Sequence, residues 1–444
     1  MVSISDLGEA VTHLVDGGAA QAPQELSTFL NYTALSRRRA RFYSALAVFL
    51  LIWLVVYTYL VVKVIPLAIY WISYYSADYS AGFVRRGLAG EIPDAFPEQH
   101  YFTVVYALTW GAVVAYCAGL AFLAYRVLFS GRRSERRLMV AFLIPVLPFA
   151  VTFALFGPRP ELYGAAALIA FTLLISRRGS ARAALAVSAC FGLFLALLAF
   201  VHEAIPLEFA LGSVLAIAAV GGSDSAQIRR ACMALAILPG LLASGVVMLA
   251  TRANIAKQQL CAMVPHGLIE NPFVVPPGRQ VDYLLGRYDS VSDYHDWMCQ
   301  AVVPYFGGDF SDAVRSVANQ GFPVLAGGFL HGLIVVIGSM WLIQYFTGVG
   351  WKQFVGRIRG GIGLPLLALA LMVPLFATGV DWIRWWTLIA IDIGVVYLVF
   401  AAGRAEMERP VPRRQLKIFA AAAIILALVP FSGPTRYSTD WVTF

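Results

Sequence analysis

The chain has 444 residues, of which 60% are hydrophobic and only 13% are charged, and its mean hydropathy is +0.74. Soluble domains are usually about 45–50% apolar and about 25% charged. This composition excludes a soluble enzyme, a secreted disulfide scaffold and a disordered protein, and it predicts an all-α polytopic membrane protein. The net charge of +8 does not indicate nucleic-acid binding, because the basic residues stand in short clusters between apolar runs.

About eleven apolar runs can be drawn as membrane-spanning helices, which need about 20 residues each. When the N-terminus is placed inside, most of the basic residues fall in the inner segments, as the positive-inside rule requires. The C-terminus then lies outside, in the periplasm. The predicted spans are 44–66, 102–126, 138–156, 162–176, 183–201, 206–221, 231–250, 324–346, 361–380, 385–402 and 417–431.

The predicted spans divide the chain into four parts, which are a cytoplasmic tail, a first membrane module of seven spans, a large periplasmic loop and a final module of four spans. The tail has no segments in signal-peptide order, and its residues 4–16 fit either a surface helix or an unstructured segment. The 29 arginines against 4 lysines indicate a GC-rich bacterial genome. We therefore expect a multi-pass protein of the bacterial cytoplasmic (inner) membrane. The four parts are residues 1–41, 42–250, 251–323 and 324–444.

The outer loop 251–323 is too long and too polar for a simple connector. It contains Cys261 and Cys299, for which the oxidising periplasm favours a disulfide; the alternative is two free thiols. The loop also contains Arg287 and His295.

The segment Ser76–Leu88 follows the first span on the outer side and contains Asp78, Arg85 and Arg86. Two adjacent arginines beside glycine-rich backbone suit a phosphate or pyrophosphate, because guanidinium groups bind phosphate oxygens in pairs. The alternative is contact with outer-leaflet lipid phosphates without specificity.

Three further outer segments carry charged side chains at the membrane edge. A titratable imidazole beside a carboxylate suits acid–base chemistry or ligand binding, although such a pair also caps helix bundles. The inner segments show no equivalent mixture, so the outer charges are expected to converge on a cavity for an anionic, lipid-linked substrate. The residues are Arg159 and Glu161 in a proline-flanked turn, His202 and Glu203 at the end of span five, and Asp381 and Arg384 at the start of span ten, where i,i+3 spacing allows pairing.

This pattern resembles the C-type glycosyltransferase superfamily, polytopic enzymes that use polyprenyl-phosphate-linked sugars at the outer face of the membrane. The similarity lies in an acid in the first outer loop and a second acid in the next, and it covers the topology of residues 44–250. It places Asp78 at the position of the catalytic acid and Glu161 at that of a second acid, a metal ligand in some members. The resemblance thus implies a divalent cation, Mg²⁺ or Mn²⁺. The chain departs from the pattern in its short first outer loop and in lacking the Trp-Trp-Asp motif and soluble domain of the oligosaccharyltransferases.

The resemblance, together with the outer charges, implies an enzyme that moves a sugar from a polyprenyl-phosphate or pyrophosphate carrier to a cell-envelope glycan or lipid acceptor at the periplasmic face. Asp78 is expected to be the base, with Glu161, His202 and Glu203 positioning the acceptor or a metal. The side chains expected to bind the phosphate are Arg85, Arg86, Arg159 and Arg384, with Asp381 in support.

Three alternatives remain open. An O-antigen polymerase or ligase would use His295 as base and Arg287 for pyrophosphate. A transporter or flippase would place charges near the midplane, where the sequence offers Lys63, Glu208 and Asp392. The third alternative is a structural or assembly subunit of a larger envelope complex.

Overall fold

The computed structural model describes residues 36–64, 68–80, 82–177, 179–222, 225–250, 253–306 and 310–431. The proposed surface helix 4–16 lies outside these residues. Of the described residues, 77% are helical, and the chain separates into one unit that ends at Trp53 and a second that begins at Leu54. The prediction of an all-α polytopic membrane protein is confirmed.

The first half of the chain contains long apolar helices joined by short polar turns. A π-helix follows α1 at Leu60–Val64, and short 3₁₀ turns cover Ser73–Tyr75, Glu98–His100 and Ile144–Val146. The helices are α1 Arg37–Tyr59, α2 Ala68–Ile72, α3 Gly87–Asp94, α4 Tyr101–Phe129, α5 Glu135–Leu143, α6 Val151–Phe156, α7 Glu161–Ile175, α8 Ala181–Val201, α9 Ile205–Glu208, α10 Ala210–Leu215 with a π-helical continuation Ala216–Val220, and α11 Ala226–Ala250.

The second half contains the outer loop and the last helices of the bundle. Two antiparallel strands, β1 Leu268–Glu270 and β2 Val291–Asp293, form a small sheet in the loop. The helices are α12 Ala253–Met263, α13 Gln280–Leu284, α14 Tyr294–Ala301, α15 Val303–Phe306, α16 Phe310–Asn319, α17 Phe322–Thr347, α18 Trp351–Val355, α19 Gly363–Ala370, α20 Val373–Thr378, α21 Trp382–Ala402 and α22 Arg413–Leu428, with 3₁₀ turns at Pro272–Val274 and Ala405–Glu408.

Seven helical segments of the described residues are long and apolar enough to cross a membrane, and each coincides with a predicted span. Shorter apolar segments at Glu161–Ile175, Ala210–Val220 and Gly363–Thr378 coincide with predicted spans four, six and nine. Helix α22 coincides with the eleventh. The positions of the predicted spans therefore agree with helices, while the count of eleven crossings stays a prediction.

The third predicted span is not one straight helix. Its helical path runs from α5 through a 3₁₀ turn that contains Pro145, and α6 resumes only at Val151, beyond Pro148. Proline removes a backbone donor and its ring clashes with the preceding turn, so Pro145 and Pro148 favour a kink or a break in the helix here. Most residues of this segment are buried inside the bundle, where neighbouring groups can satisfy the freed backbone atoms.

Helix α21 lies at the centre of the bundle and packs against α17, α10, α7 and α4. Close to its C-terminal end is a cavity of about 740 Å³. The arginines that line it come from three segments that the positive-inside rule assigns to the inner side, so those segments do meet at one end of the bundle. They are Arg126, Arg357, Arg359 and Arg404.

The outer loop packs on the segment that follows the first span. Tyr294 and Met298 of α14 share a buried cluster with Ile72 and Tyr75, and the Tyr294 hydroxyl donates a hydrogen bond to the carbonyl oxygen of Ile72 at 3.3 Å. A disulfide joins Cys261 to Cys299, with Cα atoms 5.3 Å apart. The loop is thus a folded cover over residues 69–89.

Candidate functional site

Charged side chains from four separate segments meet at the end of the bundle opposite the arginine-lined cavity. The segments are those before α3, before α7 and after α8, and the first turn of α21. We call this set the outer charge cluster; it consists of Arg85, Arg86, Arg159, Glu161, His202, Glu203, Asp381 and Arg384.

One half of the outer charge cluster is a network around the first turn of α21. Arg384 Nη1 lies 3.4 Å from Glu161 Oε1 and 3.6 Å from Asp381 Oδ2. Asp381 Oδ2 lies closer still to Arg159 Nη2, at 3.2 Å. The i,i+3 pair expected from the sequence is therefore present. In addition, Arg384 pairs with Glu161 at the start of α7, and Asp381 pairs with Arg159 in the turn before it.

The other half is formed where α3 meets the end of α8. Glu203 lies between two arginines, with Oε2 3.5 Å from Arg86 Nε and Oε1 3.8 Å from Arg85 Nη1. His202 Nε2 lies 3.5 Å from Arg86 Nη2. Arg86 adopts the left-handed conformation, with φ of 66°. This costs a non-glycine residue about 1–2 kcal/mol, and strain of this kind concentrates at functional sites.

Two aromatic side chains that no sequence motif singled out pack against the cluster, and one of them, Tyr74, contacts both halves. The Tyr74 ring lies 5.1 Å below the Arg86 guanidinium, and its hydroxyl accepts a hydrogen bond from Arg384 Nη1 at 3.4 Å. The Trp71 ring lies 4.4 Å from the Arg159 guanidinium. A sequence signal did exist, because Trp71 and Tyr74 precede the Ser76–Leu88 segment by five and two residues.

Several buried polar atoms of the cluster have no hydrogen-bond partner among the described residues. They include Nε of Arg159, Nε of Arg384 and both carboxylate oxygens of Glu161. The side chains of Arg384 and Glu161 are only 11% and 2% exposed. Buried donors without acceptors are costly and rare, so the two guanidinium groups are suited to a further anion.

Among the described residues, Asp78 is not one of the ion-pairing partners of this network. Its Oδ1 accepts a hydrogen bond from the Ser80 backbone at 2.8 Å and another from the Ser80 hydroxyl. Asp94, at the end of α3, lies beside Asp78. Burial and the nearby Asp78 carboxylate raise the pKa of Asp94 to about 6. No sequence motif marks Asp94; the fold creates this carboxyl pair by closing α3 back onto residues 77–79.

Asp78 and Glu161 do not fit the divalent-cation site that the resemblance implies. The described contacts of Asp78 are with Ser80 and Asp94, whereas Glu161 faces a guanidinium at 3.4 Å. A cation placed at Glu161 would be repelled by Arg384 and Arg159. No catalytic step is therefore assigned to a metal at these residues.

Two more carboxyl groups lie deeper in the bundle. Glu208 of α9 and Asp392 of α21 have no solvent exposure, and all four of their carboxyl oxygens lack a hydrogen-bond partner within the described part of the chain. Lys63, the third residue considered for depth, has an exposed side chain. Of the three residues considered for a transporter, only Glu208 and Asp392 are therefore buried.

Because of His202 and Glu203, we expect the folding stability of the protein to fall as the pH becomes acidic. Burial and the Arg86 guanidinium lower the pKa of His202 to about 4, so the unfolded chain binds more protons between about pH 6.5 and pH 4 and stability falls as the pH falls through that window. Burial alone would raise the pKa of Glu203, but the neighbouring cations lower it to about 2, so its contribution is lost below about pH 4.5.

We expect His202→Gln to lose less thermal stability than wild type between pH 6.5 and pH 4.5. Unfolding midpoints in detergent at several pH values measure this, and His100→Gln, at an exposed histidine, is the control. Equal pH sensitivity of His202→Gln and wild type would contradict the prediction.

Comparison with known proteins places the chain in a family. The sequence profile described as "Uncharacterised membrane protein Rv1490" matches residues 43–427. The chain belongs to this family. It is 42% identical over 417 residues to "Uncharacterized protein Rv1490" of Mycobacterium tuberculosis, which covers 93% of this chain and 96% of that protein. "Uncharacterized protein Mb1527" of Mycobacterium bovis matches with the same values.

No solved structure matches the chain. The range that matches the Rv1490 family contains every residue of the outer charge cluster and the whole outer loop. The site therefore lies in the part of the chain that the family covers.

Proposed function

We propose that this Rv1490-family protein is a glycosyltransferase of the bacterial cytoplasmic membrane. It would take a sugar from a polyprenyl-phosphate carrier and attach it to a cell-envelope glycan or lipid acceptor at the periplasmic face. The observation that carries the proposal is the pair of buried guanidinium groups, Arg159 and Arg384, whose Nε donors have no acceptor in the described residues.

The outer charge cluster suits a lipid-linked phosphate for two reasons. Its arginines are already oriented by Glu161, Glu203 and Asp381, and a guanidinium that contacts one carboxylate retains further N–H donors for a phosphate oxygen. The cluster also lies at the end of apolar helices, where a polyprenyl chain can remain in lipid while its head group enters.

The reaction breaks the bond between the sugar's anomeric carbon and the carrier phosphate oxygen, and forms a bond from that carbon to the acceptor oxygen. Asp78 takes the proton of the acceptor hydroxyl, and Asp94, whose pKa is raised to about 6, exchanges protons with it. The carrier phosphate leaves with the bonding electrons. Arg159 and Arg384 stabilise the negative charge that grows on it.

The test offers radiolabelled polyprenyl-phosphate and polyprenyl-pyrophosphate sugars to the purified protein in nanodiscs. Asp78→Asn is expected to lower transfer about 100-fold or more, the range of general-base effects, while still binding the carrier. Arg384→Lys is expected to weaken carrier binding, because lysine cannot present paired donors.

Arg315→Lys is the matched control, since Arg315 and Asp312 form an i,i+3 pair like Arg384 and Asp381, but with side chains 69% and 54% exposed. Full transfer by Asp78→Asn would remove Asp78 as the base. Absence of carrier binding by wild type would overturn the proposal as a whole.

Transport of a lipid-linked sugar is the second candidate, favoured by the fully buried carboxyl groups of Glu208 and Asp392. Buried ionisable groups inside a membrane bundle commonly mark proton or ion pathways. In liposomes, a flippase would move the labelled lipid between leaflets without releasing sugar, and Asp392→Asn would stop it. Sugar transfer that survives Asp392→Asn would favour the enzyme.

A further inference from the structure

The folded outer loop brings two histidines and two aspartates together. Pairing of β1 with β2 sets Leu268 opposite Asp293, and the backbone N–H of Tyr294 donates to the Gly267 carbonyl oxygen at 2.8 Å. His266 precedes β1, and Asp293 ends β2. The sheet therefore holds the chain around His266 beside the start of α14.

The contacts within this group are close. His266 Nδ1 lies 3.1 Å from Asp293 Oδ1, and His295 Nδ1 lies 3.1 Å from Asp296 Oδ1. The two imidazole rings stack with centroids 4.1 Å apart. One ligand atom from each of the four residues lies within 4.8 Å of every other.

We propose that His266, Asp293, His295 and Asp296 form a zinc site in the outer loop. Two imidazole nitrogens with carboxylate oxygens are a ligand set that Zn²⁺ accepts in tetrahedral geometry, whereas Mg²⁺ and Ca²⁺ prefer oxygen ligands alone. The site is separate from the outer charge cluster and does not depend on the proposed reaction.

The disulfide holds the two segments that carry His266 and His295 together before an ion binds. His266 follows Cys261 by five residues, and His295 precedes Cys299 by four, one helical turn along α14. Asp293 caps α14 by accepting a hydrogen bond from the Asp296 backbone at 3.2 Å. The ligands therefore stand on segments that are already joined, which lowers the entropy cost of gathering them.

The position suggests what the ion does. Tyr294 and Met298 of α14 share a buried cluster with side chains of the 69–89 segment, so an ion bound at His295 and Asp296 would fix α14 against that segment. The His266 side chain is 70% exposed and that of Asp296 66% exposed, so an ion from the periplasm can reach them. The proposed role of the zinc ion is therefore structural, because it would stabilise the folded outer loop.

The test uses the full chain in detergent, oxidised, freed of its affinity tag and stripped with a chelator. Titration with Zn²⁺ is expected to show one ion bound per chain, and Co²⁺ is expected to give the visible absorption of a tetrahedral site. His266→Ala and His295→Ala are each expected to weaken Zn²⁺ binding more than about tenfold. His100→Ala, at an exposed histidine outside the group, is expected to bind as wild type does.

His266→Ala guards against misfolding, because its exposed side chain can be removed without disturbing the core. Unchanged zinc affinity in His266→Ala and His295→Ala, or no stoichiometric binding by wild type, would overturn the proposal. Binding that appears only after reduction with a phosphine would assign the ion to Cys261 and Cys299 and would overturn it as well.

Discussion

Replacing Arg384 with leucine is expected to lower the free energy of unfolding by about 3–5 kcal/mol, the usual cost of breaking a buried ion pair from one side. Arg384 holds Glu161, whose side chain is 2% exposed and whose oxygens have no hydrogen bond among the described residues. Without the guanidinium, a carboxylate would remain in the bundle with its nearest cation gone. Unfolding in mixed micelles, monitored by circular dichroism, measures the loss.

A double variant separates the ion pair from simple loss of packing. Glu161→Gln combined with Arg384→Leu removes the stranded charge, so the double variant is expected to be more stable than Arg384→Leu alone. Arg315→Leu, at the exposed i,i+3 pair with Asp312, is expected to change stability by less than about 1 kcal/mol. A loss for Arg384→Leu no larger than that of Arg315→Leu would show that the buried pair is not formed.

Gly192→Ala is expected to destabilise the protein by about 1–3 kcal/mol, the usual cost of overpacking. Gly192 lies on α8 where α11 crosses it, and a Cβ atom there would overlap the backbone carbonyl oxygen of Leu235. A backbone atom cannot rotate away, so the helices must separate. Small residues serve this close approach between membrane helices, where dispersion replaces the hydrophobic effect as the main attraction.

Gly245→Ala on α11 is the matched control for this contact. A Cβ atom at Gly245 meets no heavy atom within 4 Å, and alanine favours helix over glycine by up to about 1 kcal/mol. The two substitutions add the same methyl group and are expected to act in opposite directions. Thermal unfolding of both variants in the same detergent compares them, and equal losses would contradict the proposed close packing of α8 on α11.

The two functional proposals fail separately. The glycosyltransferase proposal rests on Arg159 and Arg384, and carrier binding tests it. The zinc proposal rests on His266 and His295, and metal titration tests it without any substrate. His295, considered from the sequence as a base for a polymerase or ligase, is stacked on His266 and bonded to Asp296, an arrangement that suits a ligand.

Sequence alone determined the class of the protein and the position of its helices. Apolar runs such as 183–201 and 385–402 coincide with α8 and α21, because a backbone in lipid must satisfy its own hydrogen bonds and a helix is the local way to do so. Sequence also predicted two sets of charged segments, an inner set with the excess of arginines that the positive-inside rule requires and an outer set that mixes arginines with acids. The break near Pro145 follows from proline chemistry in the same local way.

Tertiary structure decided which charges meet. Spacing along α21 indicated that Arg384 pairs with Asp381, but only the packed bundle brings Glu161 to the same guanidinium. Asp78, which the sequence joined to Glu161, instead faces Asp94 because α3 folds back over residues 77–79. Such contacts join residues far apart in the chain, and their geometry depends on helix crossing and turn conformation, which no local pattern of residues encodes.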